Sequence, residues 1–345
     1  MSIGLYTTDQ LLGVLQSLAN PPITFFRDRW FTQETQSTDE SIHFDVIDKK
    51  RRLAPYVSPL VQGKVMQHRG FSTKVFQPAY VKPKHILNPN EMLKRRAGEP
   101  FGGSLTPEQR RDAALVNALE EQDQAIEMLE EVQCSEALRT GKITVAGDGY
   151  GTVSIDFGRH ADLTVALTGG DRWGQTGVKP LANIETWAGM VRDKSDGAIV
   201  RDVVLGTTAW ALLKASLTEQ ERKDLFDSLR GSRSSIELGP RLAEKVQFQG
   251  QIGEYSFWTY KDTYQNASGT DVEIMPVKEV VLLSSSVEGI RAYGAIRDVR
   301  EMRAVRRFPK NWEEQDPSVE YLMTQSSFLM VPLRPNATLG ATVDT

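Results

Sequence analysis

Catalysis and metal binding need particular side chains at particular spacings, and this 345-residue sequence offers few of them. The four histidines, His43, His68, His85 and His160, fall into no metal-ligand spacing, form no HExxH pair and have no cysteine partners. There is no Gly-x-Ser-x-Gly elbow and no dinucleotide-binding glycine fingerprint. The cluster Gly147-Asp148-Gly149-Tyr150-Gly151 joins two strand-like runs and lacks the Lys-Ser/Thr pair of a phosphate cradle, so it reads as a hairpin turn. The single cysteine, Cys134, cannot form an intramolecular disulfide, fits a reducing cytoplasm and reads as a small buried hydrophobe. The sequence predicts no catalytic residue, no metal and no cofactor.

The chemistry it does carry is charge. Between Ile42 and Arg96 stand twelve basic residues against three acidic ones, a net of +9, in a chain whose total is −4. Lys64, Arg69 and Lys74 lie near the middle of that stretch. From Thr106 to Gly141 nine acids face three bases, a net of −6, with Glu120, Asp123 and Glu127 among the acids. Either these acids form a solvated face, or the two segments meet, within one subunit or between subunits. A second basic run, Arg291 to Lys310, is net +5, with seven bases against Asp298 and Glu301. It could face a polyanion or pair with acids across an interface.

The acidic segment reads as one long helix. Thr106 is an N-cap, Pro107 takes the first helical position, Gln109 completes a capping box, and Gly141 stops the helix after Arg139. With no internal Gly or Pro it would reach roughly 50 Å. Leu115, Leu119, Ile126 and Leu129 share a narrow apolar stripe flanked by alanines, enough to cover one sheet or domain on one side. Upstream, Thr7 to Leu18 is a short amphipathic helix. The aromatics Phe25, Phe26, Trp30 and Phe31 then make an arm too short for its own core, expected to pack on an adjacent subunit. Ile42 to Leu87 reads as a long two-stranded hairpin with its tip near Gly63 to Thr73. An isolated ribbon of this kind is marginal in water and needs a partner surface, for which Val61 and Val65 supply apolar contact. After the long helix come the hairpin strands Lys142 to Val145 and Val153 to Phe157, helices near Asn183 to Arg192 and Thr207 to Leu217, and strands at Val200 to Leu205, Val246 to Phe248, Tyr255 to Tyr260, Val280 to Leu283 and Ser327 to Leu333. Helices and strands mixed without βαβ regularity indicate an α+β fold. No apolar run approaches the eighteen residues of a membrane span, and the N-terminus has no export signal.

One set of residues resembles a known family. The runs Tyr56-Val57-Ser58-Pro59, Arg69-Gly70, Ser72-Thr73, Tyr80-Val81-Lys82-Pro83-Lys84-His85 and Asn88-Pro89 are similar to the phage major capsid protein E family. So are Gly169-Gly170 with Trp173, Ile184-Glu185, Trp210-Ala211-Leu212, Arg291 with Tyr293-Gly294, and Pro309-Lys310-Asn311-Trp312 with Gln325-Ser326 and Met330. The likeness begins at Tyr6-Thr7-Thr8, runs through the chain in order, and is weakest from Ala215 to Pro276.

The resemblance implies the major capsid fold of tailed phages (HK97-like). Residues 1–40 would be an N-terminal arm, 41–88 an extended loop, 89–182 a peripheral domain whose spine helix is 106–140, 183–304 an axial domain, and 305–345 a return to the peripheral domain with a C-terminal tail. It implies a structural, non-enzymatic function: hexamers and pentamers building an icosahedral shell around double-stranded DNA, held non-specifically on the inner face. Expected partners are other copies of the chain, a decoration protein at three-fold sites, and the portal and scaffold during assembly, in the virion and, earlier, in the host cytoplasm. In this fold the extended loop lies over a neighbour, which would set Lys64, Arg69, Lys74, Val61 and Val65 against the acidic face at Glu120, Asp123 and Glu127. A non-viral nanocompartment shell of the same fold is the alternative reading; a cytoplasmic enzyme with unremarkable carboxylates is a further one.

Overall fold

The computed structural model describes residues 6–17, 24–37, 41–47, 56, 62, 71–76, 78, 80–89, 105–147, 149–225, 245–266, 268–298, 303–316 and 318–344. The fold is α+β, two six-stranded sheets bridged by one helix.

That helix runs from Pro107 to Thr140, and its ends follow the local chemistry. The Thr106 hydroxyl accepts from the Gln109 N–H at 3.2 Å while the Gln109 side chain accepts from the Thr106 N–H at 2.9 Å, a complete capping box. Gly141 closes the helix in the left-handed region, φ 72°. A Cβ there would fall 2.7 Å from that of Arg159, whose guanidinium donates to the carbonyls of Leu138 and Arg139 and so caps the last turn.

The first sheet is built on the long strand Ser318–Pro332. It pairs antiparallel with Phe308–Gln315, Lys84–Leu87, Tyr80–Val81 and Gly289–Tyr293, and Gln33–Gln36 adds to the last of these in parallel. The second sheet runs in the order Val246–Ile252, Tyr255–Tyr260, Val200–Leu205, Glu279–Ser284, Thr338–Thr342, Thr164–Ala166. Alternation along its strands divides the core in two. Val203, Leu205, Phe257, Val280, Leu282 and Leu339 face the helices Pro180–Lys194 and Thr207–Ser216, with Ile184, Trp187, Val191, Ala209 and Leu213 buried against them. Val204, Trp258, Tyr260, Val281 and Leu283 face the other way, onto the C-terminal half of the long helix and the arm. The N-terminal half of the long helix lies on the first sheet, through Leu115, Leu119, Leu87 and Leu322, where the helix Thr8–Ser17 adds Leu11.

The hairpin expected at 142–157 is present, but the long hairpin expected over Ile42 to Leu87 is corrected: its pairing ends at Phe76, residues 71–73 lie in a strand and not at the tip, and Tyr80–Val81 and Lys84–Leu87 pair with Ser318–Pro332 instead. Lys142–Gly147 pairs with Tyr150–Asp156, and Ile42–Ile47 pairs with Phe71–Phe76 in the register Ile42↔Phe76 to Ile47↔Phe71. The two sheets are interleaved in sequence: Gly289–Tyr293 belongs to the first, while Thr164–Ala166 and Thr338–Thr342 belong to the second, so the units do not divide at 182/183 and 304/305. Thr338–Thr342, within what the sequence presents as a tail, is an inner strand whose Gly340 has no room for a Cβ against the Arg139 carbonyl. Among the described residues no helix is long and apolar enough to cross a membrane.

Candidate functional site, an ionic node buried on the long helix

The long helix does not keep all its acids in water. Glu127, Glu130 and Glu131 are 4%, 0% and 1% exposed, and Leu129, read from the sequence as part of the apolar stripe, is 37% exposed. The buried face continues from Ile126 through Glu130, Cys134 and Ala137, a helical i, i+4, i+8, i+11 progression in which a carboxylate occupies a core position.

Three arginines from two distant segments answer these acids. Arg27, on the short arm helix Phe25–Trp30, places Nη1 3.0 Å from Glu130 Oε2 and 3.1 Å from Glu127 Oε1. Arg306 Nη2 lies 2.6 Å from Glu127 Oε1. Arg307 reaches Asp123 through Nε at 2.6 Å and Glu130 through Nη1 at 2.7 Å. The Tyr293 hydroxyl donates to Glu130 Oε1 at 3.2 Å, and the Ser326 hydroxyl holds the Arg306 carbonyl at 2.8 Å. Asp123, Glu127 and Glu130 against Arg27, Arg306 and Arg307 make the node neutral, the condition under which buried charges are tolerated. Burial alone would push the Glu130 carboxyl up, but Arg307, Arg306 and Arg27 outweigh it and hold the group below the usual carboxylate range.

Glu131 is held differently. Its oxygens accept the Phe26 N–H at 2.8 Å, the Arg27 N–H at 2.9 Å and the Tyr260 hydroxyl at 3.1 Å. Desolvation dominates here, and its pKa is pushed up to about 7 against those hydrogen bonds. Nearby, Arg29 stacks its guanidinium 4.7 Å from the Trp258 ring and meets Asp202 Oδ1 at 2.7 Å, while the Trp258 indole donates to the same oxygen at 3.0 Å. A further buried pair, Arg111 with Glu320 (2.7 and 3.0 Å, bidentate), fixes the start of the helix to the first sheet.

The residues singled out in the sequence fare unequally. Phe25, Phe26, Trp30 and Phe31 are 3%, 0%, 4% and 0% exposed within this one chain, the first three with rings clustered about Trp258 and Tyr260 and Phe31 packed against Gly289. Their expected packing on an adjacent subunit is therefore corrected: the arm completes its own subunit's core, because the second sheet presents an aromatic face that needs covering. Glu127 and Asp123 are corrected likewise, since their charges are met by Arg27, Arg306 and Arg307 inside the subunit. Glu120 is half-buried and carries no ion pair among the described residues; it accepts from Gln124 at 3.3 Å. Lys64, Arg69, Val61 and Val65 lie outside the described residues; Lys74 sits in the strand Phe71–Phe76 opposite Phe44. In the run Arg291 to Lys310, Arg306 and Arg307 turn inward, Arg291 approaches Glu34 at 3.9 Å and Lys310 meets Asp298 at 2.7 Å, so much of its charge is neutralised within the subunit. Sequence reasoning missed Arg27, Glu130 and Glu131; the signal was a carboxylate spaced into an apolar stripe.

Among the described residues no group of His, Cys, Asp and Glu could hold a metal ion. The node ties arm, long helix, first sheet and, through Tyr260, second sheet into one subunit, and what it can do chemically is hold shape. The comparisons with known proteins agree with that. The family described as phage major capsid protein E matches residues 7–343. The chain is 32% identical over 338 residues to the major capsid protein of Enterobacteria phage P21, covering 95% of this chain and 96% of that one. It is 31% identical over 343 residues to the major capsid protein of Escherichia phage lambda, covering 97% and 98%. The crystal structure of the putative capsid protein of a prophage of E. coli CFT073 superposes with a TM-score of 0.76 at 24% identity over 98% of this chain and 99% of that chain. The capsid of Ralstonia phage GP4 shares the fold at a TM-score of 0.54 and 11% identity, over 100% and 96%. The chain belongs to the phage major capsid protein E family: it is a structural subunit of a phage head, a virion component that assembles in many copies into a capsid shell.

Proposed function

We propose that hexamers and pentamers of this chain close an icosahedral shell around double-stranded DNA, with no catalytic step of its own, and that assembly takes place in the host cytoplasm. The observation that carries this is a subunit core that closes on itself, the aromatic arm and the buried carboxylates of the long helix being satisfied internally, beside a basic stretch in which Ile42–Ile47 and Phe71–Phe76 pair as a hairpin. We assign the first sheet with the N-terminal half of the long helix to the peripheral domain, and the second sheet with its two helices to the axial domain that gathers around capsomer axes. Lys64, Arg69 and Lys74, with Val61 and Val65, grip the acidic face of a neighbouring subunit. With Asp123 and Glu127 engaged internally, that face is centred on Glu120 and the exposed Glu121. A decoration protein at the three-fold sites, and a portal and scaffold during assembly, complete the set of partners.

Electron microscopy of the purified chain tests the reading. Closed particles that take up DNA support it, particles enclosing protein cargo indicate a nanocompartment, and turnover by an unassembled subunit indicates an enzyme. Changing Lys64, Arg69 and Lys74 together to Glu is expected to leave a folded subunit that fails to close shells, since rim contacts of about 0.2–1 kcal/mol each add up over many copies. Parental assembly by that variant would remove the clamp from the proposal.

A further inference from the structure

Glu131 is placed where three pieces of the chain far apart in sequence meet, and the ionic node does not neutralise it. From the arm helix come the N–H groups of Phe26 and Arg27; from the second sheet comes the Tyr260 hydroxyl; the long helix supplies the carboxyl itself. The charged and titratable groups around it are accounted for on every side. On the arm, Arg27 is committed to Glu127 and Glu130, and Asp28 bonds the Arg27 Nε at 3.1 Å. On the long helix, Glu130 is paired with Arg307 and Cys134 is a buried thiol pushed up by burial. On the second sheet, Tyr260 is held protonated by burial and by Glu131, with Asp262 beyond it paired to Lys245 at 2.9 Å. Glu131 is thus a fully buried carboxyl whose own full cation partner is missing among the described residues.

We propose that Glu131 is a proton-operated latch for the N-terminal arm: docking of the helix Phe25–Trp30 takes up a proton at this carboxyl, and the arm loosens as that proton is lost. When protonated at Oε1, the group can donate to the Tyr260 oxygen, keeping Oε2 as the carbonyl that accepts the Arg27 N–H, while the Phe26 N–H retains only the hydroxyl oxygen. When ionised, it retains three donors but buries a charge that only the Arg27 guanidinium, already shared by Glu127 and Glu130, offsets. Undocking returns it to water, where its ordinary value is near 4.5, against about 7 when docked. Over that window the docked state holds the proton and the undocked state does not, so the docking equilibrium weakens about tenfold for each pH unit of rise and levels off above the upper value. The inference concerns the subunit alone and does not depend on what the shell encloses.

Hydrogen exchange of the 24–32 segment in the purified full-length chain, measured from pH 5 to 8.5 and corrected for the intrinsic pH dependence of exchange, is the test. Protection should fall on the order of a hundredfold between pH 5 and 8 and then stay level. In Glu131→Gln, which cannot ionise, the same segment should show flat protection. A flat profile in the parent chain, or a parental slope in Glu131→Gln, overturns the proposal. Should Glu131→Gln not fold, Tyr260→Phe decides instead: it removes a hydroxyl that meets the carboxyl in both states but binds the ionised one more strongly, so the midpoint of the profile must move to higher pH, and an unmoved midpoint is equally fatal.

Discussion

Replacing Arg307 by Met keeps an unbranched apolar stem and deletes the guanidinium. Glu130, fully buried, would keep Arg27 Nη1 at 3.0 Å and the Tyr293 hydroxyl at 3.2 Å, while Asp123, whose side chain is 28% exposed, would turn to water. Breaking a buried pair costs about 3–5 kcal/mol, and the surviving cation at Glu130 sets the expectation at the lower end, about 3 kcal/mol. An unfolding entropy of about 2.1 cal/mol/K per residue gives this chain about 0.7 kcal/mol/K, so its melting temperature should fall by about 4 °C. Combining it with Glu130→Gln removes both charges, and the double variant should recover about half of the loss, a coupling readable from a double-mutant cycle. The effect must also depend on pH. Glu130 has a native pKa below its unfolded one, so its contribution is present above the ordinary carboxylate range and is lost as pH falls through the native value. Parent and variant should therefore converge in acid. Scanning calorimetry or near-ultraviolet circular dichroism at pH 8 and at successively lower pH through the carboxylate range and below it measures both. A variant melting within 1 °C of the parent at pH 8, or a gap that does not narrow as the pH is lowered below the ordinary carboxylate range, would refute the reasoning.

Three further outcomes are expected. Arg159→Lys should destabilise the subunit by about 1–3 kcal/mol, because a single ammonium cannot reproduce the fork that reaches Leu138 and Arg139 carbonyls, Thr164 at 2.7 Å and Thr338 at 3.4 Å; chemical denaturation would show it. Deleting residues 1–32 should yield insoluble or unfolded subunits rather than intact ones that assemble weakly, since Phe25, Phe26, Trp30 and Phe31 are core residues; solubility and circular dichroism decide it. Cys134 should resist thiol reagents in the native chain and react once per chain in denaturant, its thiol fully buried and its pKa well above the ordinary value.

Much of the fold was legible because its signals are local. Thr106, Pro107, Gln109 and Gly141 fix the long helix within a turn, and the strands at 200–205, 255–260 and 279–284 declare themselves as short β-branched or aromatic runs. The arm helix Phe25–Trp30 was not legible, being six residues long and held by tertiary contacts. Nor was the partner of the acidic helix. The strongest basic stretch in sequence is 42–96, yet the buried carboxylates are met by Arg27, Arg306 and Arg307, which net charge does not single out. Pairing between residues more than 100 positions apart is set by topology, and periodicity carries no information about it. The spacing of Ile126, Glu130 and Ala137 did hold the warning that a charge in an apolar stripe demands a counter-ion from elsewhere in the chain.

The long helix rests its first half on one sheet and its second half on the other, with the ionic node between Asp123 and Glu131 at the changeover. Geometrically it is a lever. Each half is about 25 Å long, so a bend of about 10° at the node would carry the far end roughly 4 Å, more than a carbon–carbon contact distance. Displacements on that scale, too large for either sheet to absorb by repacking, are governed by the curvature of a single helix. The arginines that neutralise its middle therefore act as a splint, setting how far one end of the subunit can swing when the other is held.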